Sequence, residues 1–306
     1  MPTRSEPVTS SDELFAPVSA DVELCYQTFG SCEDEPLLLV MGLGAPMTWW
    51  DLELCEMLAR QGFYVVRFDN RDAGRSSRGQ GRVTRRMLVR AFTGLPVRAP
   101  YSLDDMARDA FGLLDHLGLE SAHVAGVSMG GMIAQSMALQ EPGRVRSLAS
   151  IMSTTGRRTV GWQHPVLFRN LLSSSPGRDG YIRSSVATWR MIGSPGYPKT
   201  QDDIEQRAAE TYDRGVSLAG LTRQMAAIVS TTDRTPRLRG LQVPTVVVHG
   251  LADKMVHVSG GRATASAVPG ADLLLVDGMG HDLPPQLFET FVQAITANTR
   301  RALPRA

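Results

Sequence analysis

Short apolar runs alternate along the chain with segments of helical periodicity. Strand-like runs are predicted at residues 22–29, 37–41, 63–68, 122–127, 145–152, 243–249 and 272–276. Helical spacing is found at residues 52–60, 104–117, 128–139, 259–268 and 283–296. Ser102 offers an N-cap for the second of these helices. Because short, continuously apolar runs such as residues 37–41 alternate with helices, the pattern predicts an α/β fold with a mostly parallel central sheet flanked by helices on both faces.

The regular alternation is interrupted in the second half of the chain. Residues 155–240 lack strand-like runs and contain three helix-like pieces, at 181–191, 204–212 and 218–229. We expect this segment to be a helical cap over the carboxyl edge of the sheet, where open α/β sheets bind ligands. Residues 1–19 are polar and rich in Ser and Pro, so a disordered or loosely packed leader is expected there. The predicted core domain then combines residues 20–154 with residues 241–306.

The segment GVSMGG (residues 126–131) lies between a predicted strand and the helix that follows it. A G-x-S-x-G pattern is weak by itself, but a strand-to-helix turn is where a nucleophile elbow is built. Gly126 and Gly130 must be small, because a side chain at either position would collide across the sharp turn. We therefore predict Ser128 as the nucleophile, with its hydroxyl above the sheet and beside a helix N-terminus.

A serine hydroxyl needs a base, and His281 is the histidine best placed to supply one. It lies in a glycine-containing loop between the last predicted strand and the last helix. Asp253 follows the strand at 243–249 and is predicted to hold the histidine in one tautomer. The order Ser128, Asp253, His281 along the chain is the order that accompanies an elbow of this kind. The competing acids are Asp272, Asp277 and Asp282.

Acyl transfer also needs donors for the oxyanion that forms in the transition state. One predicted donor is the backbone N–H of Met129, the residue after the nucleophile. The second is predicted in the loop after the strand at 37–41, where Leu43 lies between Gly42 and Gly44. The flanking glycines allow the Leu43 N–H to turn toward the serine.

Five segments together resemble the landmarks of the α/β-hydrolase superfamily: MGLGAP, FDNRDAGRS, AHVAGVSMGGMIAQ, HGLAD and DGMGHDLP. The resemblance extends over residues 20 to 300. More narrowly, the chain resembles the bacterial esterase/lipase branch that includes aclacinomycin methylesterases and actinobacterial lipase/thioesterase-like proteins. The resemblance implies that FDNRDAGRS is a structural turn near the site. Met41 departs from the family, many of whose members carry histidine at this position before the oxyanion glycine.

The charge, the cysteine content and the apolar stretches of the chain limit the kinds of partner and cofactor that we expect. The 32 basic and 31 acidic residues nearly cancel, so the overall charge gives no reason to expect nucleic acid as a partner. The three cysteines do not form a disulfide or metal-binding pattern, and neither a metal nor an organic cofactor is expected. No secretory signal or long apolar stretch is visible, which predicts a cytoplasmic protein without stable membrane insertion. A basic amphipathic segment at residues 83–95 could make weak lipid contact.

The function expected from these residues is hydrolysis of a carboxylic ester or thioester of a small or lipid-like molecule, through an acyl-enzyme on Ser128. A C–C bond hydrolase or a cofactor-free perhydrolase could use the same three residues. A non-catalytic small-molecule receptor on this fold is the alternative from another class, because a fold does not imply a function.

Overall fold

The computed structural model describes residues 7–164 and 177–302. Its strands are β1 (Leu14–Ser19), β2 (Val22–Phe29), β3 (Glu35–Val40), β4 (Phe63–Phe68), β5 (Ala122–Val127), β6 (Val145–Ile151), β7 (Thr245–Gly250) and β8 (Asp272–Val276). Its α-helices are α1 (Leu52–Arg60), α2 (Arg85–Phe92), α3 (Leu103–His116), α4 (Met129–Gln140), α5 (Arg178–Ile192), α6 (Gln201–Gly215), α7 (Leu218–Val229), α8 (Thr235–Leu238), α9 (Ser259–Ala267) and α10 (Phe288–Arg300).

The strands form one eight-stranded sheet in the order β1-β2-β4-β3-β5-β6-β7-β8. Neighbours from β4 to β8 are parallel, while β2 pairs antiparallel with both β1 and β4. The predicted mostly parallel sheet is therefore confirmed. The registers Val40 with Gly126 and Gly250 with Val276 bring the carboxyl ends of these strands level. The loops that carry the candidate residues consequently leave one edge of the sheet.

Two apolar layers cover the sheet, one on each face. On one face the strands pack against α1 and α10, around the fully buried Trp50 and Phe291. On the other face they pack against α3 and α4, around Leu114 and Ile133. Helix α3 begins at Ser102, whose side chain forms a capping box with Asp105, as the predicted N-cap required. This double covering explains why the parallel strands are apolar on both sides.

The expectation of a loose leader at residues 1–19 is wrong for its second part. Residues Leu14–Ser19 form β1, which pairs antiparallel with β2 at the edge of the sheet. The sequence did not predict this strand because it contains Pro17. Proline has no N–H to donate to a ladder and is tolerated only at an edge or a bulge. The register of the pair shifts between Pro17 and Ser19. Residues 1–6 of the expected leader lie outside the described residues.

The chain between β6 and β7 forms a helical insertion. We call residues 155–240 the inserted segment; it carries α5 to α8, and its described part contains no strand. Residues 165–176 of this segment, and residues 303–306 of the core assignment, lie outside the described residues. Two ion pairs join the segment to the polar turn after β4. The guanidinium of Arg214 lies 2.7 Å from Asp69, and that of Arg223 lies 2.6 Å from Asp72.

Neither a disulfide bond nor a membrane-spanning helix is found in residues 7–164 and 177–302. Cys25, Cys32 and Cys55 are free thiols, two buried and one exposed, as expected for a chain without a disulfide framework. Across residues 7–164 and 177–302, no helix combines the length and the apolar character needed to cross a bilayer.

Candidate active site

Strand β5 runs directly into α4 through the turn that carries Ser128. The serine has φ 57° and ψ −120°, in a left-handed region that residues with a Cβ rarely occupy. The turn is so tight that a Cβ on Gly126 would lie 2.2 Å from the carbonyl oxygen of Gly130. A Cβ on Gly130 would lie 2.0 Å from the carbonyl oxygen of Val40. Both glycines are therefore required by close backbone contact, Gly126 across the turn itself and Gly130 against the end of β3.

The structure brings the three predicted catalytic side chains into one hydrogen-bonded chain. The Nε2 atom of His281 lies 3.0 Å from the Oγ atom of Ser128. The Nδ1 atom of the same ring lies 2.7 Å from Oδ2 of Asp253. These distances are those of a nucleophile in contact with a base, and of a base in contact with an orienting acid.

Asp253 is buried and fully partnered. Its Oδ1 atom accepts hydrogen bonds from the backbone N–H groups of Met255 and Val256, each at 2.8 Å. Burial alone would raise the pKa of Asp253, but the imidazoles of His281 and His249 outweigh it and hold the pKa below its usual range. The carboxylate is therefore ionised and fixed at neutral pH, as the orienting role requires.

His249 is a neighbour of the acid that the sequence did not reveal. Its Nε2 atom lies 2.8 Å from the carbonyl oxygen of Val256 and 3.4 Å from Oδ2 of Asp253. It is fully buried at the end of β7. The ring thus lies near the same carboxylate oxygen that His281 contacts, although nothing in the local sequence distinguishes it from a core histidine.

The loop after β3 lies against the nucleophile. A Cβ on Gly42 would lie 3.7 Å from Oγ of Ser128, and both Leu43 and Met129 line the same space as the serine. Two side chains fix this loop. The Asn70 amide donates to the carbonyl oxygen of Met41 at 2.8 Å, and Oε1 of Gln224 accepts from the Gly44 N–H at 2.7 Å.

The polar turn after β4 is a support for that loop, as the resemblance implied. Asp69, Asn70 and Asp72 are almost completely buried, and each is hydrogen-bonded. Oδ1 of Asp69 accepts from the N–H of Met47, just beyond the loop after β3. These carboxylates are therefore occupied by structural partners, which explains the density of polar residues in this turn.

The loop that carries His281 is attached to the inserted segment. The backbone N–H of His281 donates to the carbonyl oxygen of Ile192 at 2.7 Å. The Ser194 hydroxyl accepts from the Gly280 N–H at 2.8 Å and donates to Oδ1 of Asp282 at 2.5 Å. The sequence did not predict these supports, because the partners are separated by more than 80 residues along the chain.

A cavity of about 830 Å³ opens above Ser128, between the sheet edge and the inserted segment. Its lining is largely apolar and includes Leu43, Trp49, Met132, Trp189 and Ile204. Trp162 also lines it, whereas Trp50 is buried in the core. One end is charged: Nζ of Lys199 lies 3.7 Å from Oδ2 of Asp282, and burial lowers the pKa of Lys199.

Within residues 7–164 and 177–302, no group of three or more His, Cys, Asp or Glu side chains could hold a metal ion.

An eight-stranded, mostly parallel sheet whose fifth strand ends on a serine elbow defines the class of α/β hydrolases. A family model described as alpha/beta hydrolase fold matches residues 35–286, and the chain belongs to this family. The predicted superfamily is thereby confirmed.

Individual relatives place the chain near the esterase branch that the sequence resembled. Rhodomycin D methylesterase from Streptomyces sp. strain C5 is 28% identical, over 92% of this chain and 96% of that protein. The 3-oxoadipate enol-lactonase 2 of Acinetobacter baylyi is 24% identical, over 90% of this chain and 93% of that protein. The crystal structure of the enol-lactonase from Burkholderia xenovorans superposes with a TM-score of 0.73, at 21% identity, over 94% of this chain and all of that one.

Proposed function

We propose that the protein is a serine hydrolase that cleaves a carboxylic ester or thioester of a small or lipid-like molecule through an acyl-enzyme on Ser128. The observation that carries this proposal is the hydrogen-bonded chain from Ser128 through His281 to Asp253 at the floor of the cavity. The family and its relatives named as methylesterase and enol-lactonase support the same reaction class.

In the proposed mechanism, His281 takes the hydroxyl proton as Oγ of Ser128 attacks the acyl carbon. The backbone N–H groups of Leu43 and Met129 stabilise the oxyanion, and Asp253 stabilises the imidazolium. The imidazolium then gives its proton to the departing alcohol or thiol, leaving the acyl group on the serine. Water repeats the sequence and releases the acid, so that the enzyme returns to its starting state.

The cavity favours a substrate with an apolar body. Its volume of about 830 Å³ is large enough for a molecule of drug size, and its walls are mostly aromatic and aliphatic. We infer that the inserted segment acts as a cap that forms one wall of the acyl or alcohol pocket. The charged pair of Lys199 and Asp282 would suit a polar group of the substrate.

The test compares the wild type with Ser128→Ala on p-nitrophenyl esters of graded acyl length and on one acyl thioester. We expect kcat to fall by roughly four to six orders of magnitude in the variant, because the nucleophile is lost. Wild-type-like turnover by the variant would refute the role of Ser128. A clear optimum in chain length would measure the acyl pocket.

The same experiment separates the rival functions. A C–C hydrolase or a perhydrolase would show weak esterase activity, and analysis of products from candidate substrates would identify the bond that breaks. A receptor would bind a ligand tightly and turn it over very slowly. Labelling of the wild type by a fluorophosphonate, absent in Ser128→Ala, is expected only if the serine is activated by its base.

A further inference from the structure

Helix α2 presents an unusual surface beside the cavity. It buries Ala91 and half-buries Met87 and Leu88, so that these residues form its inner side. Its outer side combines apolar and basic side chains. Val89 and Phe92 are 56% and 58% exposed, and Leu95, just beyond the helix, is 50% exposed. Exposed arginines lie on the same helix, at Arg85, Arg86 and Arg90.

The charge of this region is concentrated and unbalanced. Residues 75–98 contain seven arginines and no Asp or Glu, in a chain whose net charge is only +1. Arg75 forms an ion pair with Glu13, and Arg78 donates to backbone carbonyl oxygens. In the described part of the chain, the other five have no ion-pair partner: Arg82, Arg85, Arg86, Arg90 and Arg98. Such a cluster attracts an anionic surface.

The same surface adjoins the opening of the cavity. Ala91 and Phe92 line the cavity from one side and Trp162, 46% exposed, lines it from another. The inserted segment fixes this end of α2, because the guanidinium of Arg158 donates to the carbonyl oxygens of both Ala91 and Phe92, each at 2.7 Å. The exposed apolar side chains are therefore held in place beside the opening.

We propose that α2 and the turn to Leu95 form a docking surface for an anionic lipid interface. Apolar side chains would enter the boundary between headgroups and acyl chains, while the arginines contact anionic headgroups. Arginine can do both, since its aliphatic stem packs on apolar groups and its guanidinium remains in water. The exposed aliphatic side chains of Val89 and Leu95 favour a lipid surface over a nucleic acid, because they can enter the acyl boundary whereas phosphate groups are contacted through charge. Docking does not depend on the proposed hydrolase activity.

The test uses sedimentation with vesicles of phosphatidylglycerol and phosphatidylcholine, and with vesicles of phosphatidylcholine alone. All proteins carry Ser128→Ala, so that hydrolysis cannot alter the vesicles and a failure to bind cannot be confused with a failure of the esterase proposal. We expect binding to the anionic vesicles only, weakened by salt. The triple substitution Arg85→Gln, Arg86→Gln and Arg90→Gln should lower the partition coefficient about 100-fold, since each basic residue near such a surface contributes about 1 kcal/mol.

A second variant and a matched control keep the test decisive. Val89→Ser with Leu95→Ser should lower binding about tenfold or more at constant charge, because both side chains would lose apolar contact. Arg239→Gln, Arg262→Gln and Arg300→Gln remove the same charge from exposed sites elsewhere and should change binding less than threefold. Circular dichroism checks that each variant is folded.

Three results would overturn the proposal. The first is no binding to anionic vesicles at low salt, and the second is equal loss in the control and α2 arginine variants. The third is a protein that binds both anionic vesicles and duplex DNA, with neither affinity changed by the double substitution Val89→Ser and Leu95→Ser. That result would identify a general polyanion site.

Discussion

At the scale of single residues, burial and hydrogen bonding have opposite effects on the ionisation of Asp253. Burial opposes its ionisation, yet two backbone N–H groups and two imidazoles surround its oxygens. Each hydrogen bond to a charged group contributes about 1.5–3 kcal/mol, so several together exceed a typical penalty for partial desolvation. The ionised form is therefore favoured, and the Nδ1 atom of His281 is held as the donor.

Replacing this acid tests its role. Asp253→Asn should lower kcat/KM for a p-nitrophenyl ester by roughly 10³–10⁴-fold, because the neutral amide can stabilise the wrong tautomer of His281 and cannot stabilise the imidazolium. Steady-state kinetics would measure the loss. The control is Asp277→Asn, an exposed acid that competed for the role in the sequence and should retain activity within threefold. The reverse pattern would transfer the role to Asp277.

At the scale of elements, α7 reaches into the core of the proposed site. Gln224 is fully buried, accepts from the Gly44 N–H and donates to the carbonyl oxygen of Arg71 at 2.7 Å. One side chain therefore joins α7 to the loop after β3 and to the polar turn after β4. No sequence pattern could predict this contact, because Gln224 lies 180 residues from Gly44 and resembles any polar residue of a helix.

The contribution of this side chain is measurable. Gln224→Met keeps the length but removes both hydrogen bonds, so the loop that carries Leu43 should lose its fixed position. We expect kcat to fall about 10- to 100-fold with little change in KM, since small misplacements weaken transition-state contacts. Gln206→Met, on the exposed side of α6, is the control and should have little effect. A rise in KM at unchanged kcat would instead mean that Gln224 only shapes the cavity, and a lower Tm with normal kinetics would mean a purely structural role.

At the scale of the whole molecule, the sequence predicted most of the architecture. An apolar run such as residues 37–40 of β3 and a capped helix such as α3 carry their signals locally, and an elbow needs glycines at fixed spacing. The edge strand β1 was missed because Pro17 and exposed positions imitate a loop. The supports at Gln224 and Ile192 were missed because tertiary contacts, not local patterns, define them.

Stability should depend on pH through a buried histidine in the sheet. Burial, reinforced by Arg146, lowers the pKa of His123 to about 4, even though Glu35 lies 3.8 Å from its Nε2 atom. Between the unfolded value of 6.5 and about 4, the unfolded chain binds the proton and the folded one does not, so stability falls as the pH falls. The loss should be roughly 2–3 kcal/mol at pH 4.5.

Urea unfolding at pH 7 and pH 4.5 measures this dependence. His123→Asn should reduce the difference in the free energy of unfolding between the two pH values. His116 is an exposed histidine at the end of α3, and His116→Asn should leave that difference unchanged. An equal acid sensitivity in His123→Asn and the wild type would contradict the assignment.

The double attachment of the inserted segment has a consequence for engineering. The segment holds the loop after β3 through Gln224 and the loop that carries His281 through the carbonyl oxygen of Ile192. Replacing the inserted segment with that of another protein would therefore change the chemical rate as well as the substrate specificity. A chimaera would inherit a new pocket together with two unsupported loops, so its turnover would depend on whether the donor cap supplies an acceptor for Gly44 and another for His281.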